Sequence, residues 1–165
     1  MNKKLKIVLL ALAGIFVVIQ FFRIDKSAPA VDRSQDFLTV MAAPAETATL
    51  LRDACYDCHS YETKYPWYSN IAPVSWWVKK HIDEGREHLN FSVYNTYDPE
   101  DKGEILEECI ETVKEGEMPL KSYTWVHAEA RLTQGQRQQL TAWFQALGGG
   151  ERIGESEGES EGERE

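Results

Sequence analysis

Five consecutive residues carry the strongest chemical signal in this chain: Cys55-Tyr56-Asp57-Cys58-His59, a C-x-x-C-H run. Two thiols at this spacing can each add to a vinyl group of one haem, and the adjacent imidazole then stands under the iron as proximal ligand. Two other chemistries use a C-x-x-C pair. A thiol–disulfide redox pair sits at a helix N-terminus after a strand, where the dipole lowers the thiol pKa; here the pair follows a helical stretch. A zinc site needs a second Cys or His pair, and the one remaining cysteine, Cys109, is single. The residues favour one covalently attached haem c, held by Cys55 and Cys58, with His59 on the iron.

A haem iron has a second axial position. Met118, in Gly116-Glu117-Met118-Pro119, lies in a loop where no apolar stripe claims it, and a thioether suits haem iron and raises its reduction potential. A methionine filling a gap beside the haem edge is the plainer use of that residue. Met1 and Met41 fall outside the domain, whereas His81, His88 and His127 compete. His81 and His88 share a helix face with Glu84 between them, a pattern that more often marks a solvated, charged surface. The expected iron ligands are His59 and Met118, with His81 and His127 as the alternatives. Cys109 reads as a small buried hydrophobe.

Four helical stretches position these groups, and no alternating strand pattern stands out. The first runs from about Ala45 to Ala54 and delivers the cysteines. A second, from about Pro73 to Leu89, opens on a first-turn proline. A third opens at Asp98-Pro99-Glu100-Asp101 with cap, proline and acidic first turn, buries Ile105, Leu106, Cys109, Ile110 and Val113, and stops at Gly116. The last runs from the N-cap Thr133 to about Leu147, and its Trp143 and Phe144 are expected against Leu50 or Leu51. Residues 60–72 are turn-prone and rich in Tyr and Trp, large side chains that can wall off an apolar plate; Lys64 and Arg86 could meet its carboxylates.

The ends differ from this middle. Of 165 residues with net charge −9, the first 26 carry +4 and the last 15 carry −5, so the middle is acidic and has no reason to bind a nucleic-acid backbone. Ile7 to Phe22 is apolar except for Gln20, after a Lys-rich start. This predicts an inner-membrane anchor with the domain exported to the periplasm; a cleaved signal sequence is the competing reading, with Ala28-Pro29-Ala30 a poor cleavage site. The expected divisions are 1–26 anchor or signal sequence, 27–43 linker, 44–148 mono-haem domain and 149–165 a disordered Glu-rich tail. The expected class is all-α: a cytochrome c-like helical domain with long aromatic-rich loops, preceded by one N-terminal transmembrane helix.

The order of helix, C-x-x-C-H, long loop, Met-Pro and terminal Trp-Phe helix resembles small class I cytochromes c. More narrowly, the chain resembles the small haem-binding domain family of bacterial envelope c-type cytochromes. The segments that carry this are Cys55–His59 with the following Glu62-Thr63-Lys64-Tyr65-Pro66-Trp67-Tyr68, then Asn70-Ile71-Ala72-Pro73-Val74-Ser75-Trp76-Trp77, Glu84–Ser92, and Gly116-Glu117-Met118-Pro119. It covers about Asp36 to Leu147 and implies a mono-haem fold with His59 proximal and Met118 distal. The chain departs from the family pattern at Ser92-Val93-Tyr94, where an acidic residue and Trp commonly follow Ser.

Electron transfer is the function these features predict, by a tethered monomer with an unidentified redox partner protein. A ligand sensor or weak peroxidase needs a displaceable sixth ligand, and a non-haem thiol–disulfide protein needs reactive Cys55 and Cys58. No nucleophile–base pair or paired-carboxylate arrangement stands out, so an enzyme is not expected.

Overall fold

The computed structural model describes residues 2–148, and every regular element among them is helical. The long helices fall where the apolar periodicity puts them. They are α1 (Lys3–Ile19), α3 (Ala45–Ala54), α5 (Val74–His88), α6 (Pro99–Glu115) and α8 (Gln134–Ala146). Single-turn helices α2 (Phe37–Val40), α4 (Tyr56–His59) and α7 (Lys121–Thr124) lie between them, with 3-10 turns at Trp67–Asn70, Phe91–Thr96 and Ala128–Ala130. The tail expected at 149–165 lies outside the described residues.

Local chemistry explains the boundaries. Gly116 ends α6 at φ 78°, a left-handed conformation that glycine adopts without a Cβ penalty. Thr133 opens α8 with a capping box: its Oγ1 accepts from the Gln136 amide at 3.2 Å, and Gln136 Oε1 accepts from the Thr133 amide at 2.8 Å. Asp98 stands at the N-cap of α6, but its side chain makes no capping bond there.

The core gathers apolar faces from most of the chain. Phe37, Leu51, Tyr94 and Leu140 are fully buried and Phe144 nearly so. α6 lies against α8, and α3 crosses α8, which brings Leu50, Leu51, Trp143 and Phe144 into one cluster. Phe37 joins that cluster with its ring centroid 4.6 Å from Tyr94, 5.0 Å from Phe91, 5.5 Å from Trp143 and 6.3 Å from Phe144. Residues 27–43, expected as a linker, therefore supply a central core side chain. The same stretch grips the loop after the cysteines, where Arg33 forms a two-pronged ion pair with Glu62 at 2.6 and 2.7 Å.

The expected transmembrane helix is corrected: among the described residues no helix is long and apolar enough to cross a membrane. α1 has 17 residues, which at about 1.5 Å per residue falls short of a hydrocarbon core of about 30 Å. Three of them, Lys3, Lys4 and Lys6, are charged. The apolar run does not continue as helix to Phe22 because Gln20 is engaged elsewhere. Its Nε2 donates to the Ala72 carbonyl at 3.0 Å, and its Oε1 accepts from the Ala72 amide at 2.9 Å. Trp76 Nε1 donates to the Phe22 carbonyl at 2.8 Å. The one polar residue in the run thus pins the chain to the start of α5.

Candidate functional site

Helix α3 ends as it reaches the motif, and the chain turns again at once into α4, so Cys55, Cys58 and His59 sit on one tight loop. α4 packs against α5, and Gly85 permits the close approach: a Cβ there would meet the Cys58 carbonyl oxygen at 3.0 Å. Arg86 secures the exit from the loop. Its Nε donates to the Ser60 carbonyl at 2.8 Å and its Nη2 to Thr63 Oγ1 at 2.9 Å, with the guanidinium 5.4 Å from the Tyr61 ring centroid. Arg86 is thus committed to the Ser60 carbonyl, the Thr63 hydroxyl and the Tyr61 ring.

Asp57, between the cysteines, anchors the same loop from outside. Its carboxylate accepts from the Lys64 amide at 2.8 Å and from the Tyr123 hydroxyl at 2.8 Å, and its carbonyl accepts from Thr63 Oγ1 at 2.7 Å. Tyr56 turns inward. Its ring stacks on Phe91 at 5.1 Å and 7°, and its hydroxyl donates to the fully buried Asp36 at 3.2 Å. Burial, and then the Asp36 charge, push the Tyr56 phenol far up.

The imidazole of His59 is oriented by a backbone group. Its Nδ1 lies 3.1 Å from the Leu89 carbonyl oxygen. A carbonyl only accepts, so Nδ1 carries the hydrogen and Nε2 keeps its lone pair. Burial lowers the His59 pKa, favouring the neutral ring that a metal requires. Burial likewise pushes the Cys55 thiol up to about 12, with Cys58 adding to it, and Cys58 up to about 11, with Asp57 adding to it. Nucleophilic redox cysteines have lowered values, so this pair is poorly suited to thiol–disulfide exchange.

A cavity of about 350 Å³ opens beside the motif, between α4, α5 and the chain from Leu120 to His127. Its wall is predominantly apolar and includes Trp67, Tyr68, Val78, Trp77, Ile82 and Tyr123, together with Cys58. Large ligand pockets fall in this range, about 300–1,000 Å³. Cys55, His59 and Met118 do not line it, so the cavity meets the motif through Cys58. Cys55 packs instead against the core cluster, as Cys109 does. Burial pushes the Cys109 thiol up strongly, in keeping with its expected place on the apolar face of α6. Lys64 also lines the cavity, on its exposed side.

The candidates for a second iron ligand are placed differently. Met118 is half-buried at the turn after α6; its amide donates to the Thr112 carbonyl at 3.1 Å, and its carbonyl accepts from Arg137 Nη1 at 2.7 Å. Arg137 also bonds the Val113 carbonyl at 2.9 Å, so it clamps this turn to α8. His81 and His127 both line the cavity. His81 Nδ1 donates to the Trp77 carbonyl at 2.9 Å, which leaves Nε2 its lone pair. His127 is occupied at both nitrogens, by Tyr68 OH at 2.7 Å and Glu129 at 3.2 Å, and Tyr123 stacks on it at 4.2 Å. His88 lies exposed at the end of α5.

Leu89, Gly85 and Arg137 had no assigned role in the sequence reading. Leu89 acts through its backbone, and Gly85 through an absent side chain, so residue type carries no signal for either. Arg137 on a polar helix face reads as an ordinary solvated charge. The donor types suit a haem, with an imidazole whose Nδ1 is held by Leu89 and an apolar cavity beside the motif, and of the motif's thiols and imidazole only Cys58 borders that cavity. Among the described residues no cluster of three His, Cys, Asp or Glu groups could hold a bare metal ion.

No curated protein and no solved structure matches the chain. A family model, the haem-binding domain, matches residues 14–146. That span covers the motif, the walls of the cavity, the Met118 turn and α8, and it reaches back past Gln20 into the second half of α1. With most of its length matched and with these donors in place, the chain belongs to the haem-binding domain family.

Proposed function

We propose that this haem-binding domain carries one covalently attached haem c and works as an electron carrier rather than an enzyme. The observation that carries the reading is the pairing of Cys58 on the wall of an apolar cavity with a His59 ring whose Nδ1 is held by Leu89. Bound haem supplies reversible one-electron exchange at its iron. The chain's own residues do the rest. Cys55 and Cys58 form the thioethers, His59 offers a fixed, neutral Nε2, and the apolar wall excludes water. Met118, on the turn that Arg137 steadies, would supply the thioether as the second protein ligand. The attachment chemistry belongs outside the cytoplasmic membrane, so the domain works in the bacterial cell envelope, with a protein as redox partner.

A second reading draws on one specific observation: His81 and His127 line the cavity and Met118 does not. A sixth position held weakly, or by His81, suits ligand sensing or peroxidase-like chemistry. Of the two histidines, His81 has the free Nε2, whereas His127 must first give up Tyr68.

Absorption spectra of protein matured with the c-type attachment machinery, oxidised and then reduced, test both readings. Covalent low-spin haem with a weak far-red band that disappears in Met118→Ala supports His59/Met118 ligation. A far-red band absent from the parent but low-spin iron lost in His81→Ala moves the assignment to His81. High-spin iron favours the sensor or peroxidase, and absence of covalent haem overturns the proposal.

A further inference from the structure

A second cavity, of about 180 Å³, opens where the chain leaving α1 meets the start of α5, and it shares no lining residue with the cavity beside the motif. Its wall includes Arg23, Lys26, Ser69, Asn70 and Ser75, and none of its lining residues is acidic. The frame is fixed. Gln20 bonds both backbone groups of Ala72, and Trp76 bonds the Phe22 carbonyl, so the N-terminal segment cannot slide over α5.

Within this frame three side chains have donors to spare. Lys26 Nζ donates to Ser69 Oγ at 2.9 Å and Asn70 Oδ1 at 2.7 Å, and sits 4.9 Å from the Tyr65 ring centroid. An ammonium has three donors, so one is left. Arg23 makes no hydrogen bond or ion pair with any described residue, which leaves its whole guanidinium fork free. Ser75 is 3 % exposed, yet its hydroxyl bonds no other described residue. It lines the pocket, where its hydroxyl stays accessible and can donate to whatever fills it. Asp25, the carboxylate adjacent in sequence, does not line the pocket and accepts from the Ser27 amide at 2.8 Å.

The geometry points to a phosphate-group site formed by Arg23, Lys26 and Ser75. A guanidinium fork, an ammonium and a hydroxyl that line one cavity without a carboxylate match the several acceptor oxygens and the charge of a phosphate. Free inorganic phosphate and the phosphodiester headgroup of a phospholipid present the same oxygens. This site is independent of how the haem iron is ligated.

The test uses the full, haem-loaded chain and reads its melting midpoint at constant ionic strength. One arm titrates inorganic phosphate; the other titrates dihexanoyl phosphatidylglycerol below its micelle threshold. The expected result is a saturable rise in the midpoint, with affinity roughly ten-fold or more weaker in Arg23→Gln and weaker also in Ser75→Ala, but unchanged in Lys80→Gln on the outer face of α5. Saturation by both ligands identifies the phosphate group alone as sufficient; saturation by the lipid alone identifies the headgroup as the source. Arg23 is exposed and bonded to nothing, so its variant should fold, which its unliganded midpoint checks. No saturable rise in either arm, or an Arg23→Gln variant that binds as tightly as the parent, overturns the inference.

Discussion

The Nδ1 nitrogen of His59 lies 3.1 Å from the carbonyl oxygen of Leu89, thirty residues further along the chain. That bond selects the tautomer, aims the ring, and ties the haem motif to the point where α5 ends and the chain turns into the core. By itself the bond would raise the pKa of the imidazole, and burial of the ring outweighs it.

Burial holds the folded-state pKa of His59 below the ordinary imidazole value of about 6.5. The unfolded chain therefore takes up a proton that the folded chain refuses. The resulting stability is complete above the unfolded value of about 6.5 and is lost progressively as pH falls below it toward the lower folded-state value. Urea midpoints of the protein before haem attachment should drop between pH 7.5 and 5.5. A His59→Gln variant should show a flatter profile over the same interval; an unchanged slope would assign the effect to another group.

The two motif thiols should be sluggish before haem is attached, because burial pushes Cys58 to about 11 and Cys55 to about 12. At pH 7 almost all of each is the unreactive thiol. Alkylation by iodoacetamide should be slow in the folded protein, accelerate as pH rises, and become fast in denaturant. Rapid labelling of the folded protein at neutral pH would restore the thiol–disulfide reading.

Gly85→Ala places a methyl group 3.0 Å from the Cys58 carbonyl oxygen. Backbone has to move, because neither α4 nor α5 can yield by rotating a side chain. The expected cost is about 1–3 kcal/mol, read as a lower denaturation midpoint, together with a smaller fraction of protein carrying covalent haem.

Arg137→Gln removes the clamp on the carbonyls of Val113 and Met118. Bonds from a charged donor of this kind contribute about 1.5–3 kcal/mol. With Met118 on iron, the looser turn should also weaken the far-red band and lower the reduction potential. A variant that loses stability while keeping both spectroscopic properties would show that the turn plays no part in ligation.

Phe37→Ala tests where the domain begins. The ring is fully buried among Phe91, Tyr94, Trp143 and Phe144, and its loss should cost about 3–5 kcal/mol. A chain starting at residue 44 should be destabilised at least as much. A truncated chain that folds and attaches haem as well as the parent would support the expected division, with 27–43 as linker.

The sequence by itself determined what depends on local order. The motif residues are contiguous, so their chemistry is legible without a fold. The four domain helices follow from periodicity and from end signals such as Thr133 and Gly116, which act within a turn of themselves. Membership of the haem-binding family was legible for the same reason, since its motifs are short and contiguous.

Tertiary structure decided everything that depends on partners distant in the chain. Phe37 stands in a short apolar run, Phe37-Leu38-Thr39-Val40, with no periodicity to mark it as core, and only its meeting with Trp143, Phe144 and the Phe91 turn makes it central. Gln20 looks like a blemish in an apolar run until Ala72, 52 residues later, takes both ends of its amide and the helix stops short of a span. The choice of Leu89 to orient His59 is a matter of where a backbone carbonyl arrives, which no residue type encodes. These contacts join segments whose separation only the folded chain removes, and that is why spacing along the sequence could not reveal them.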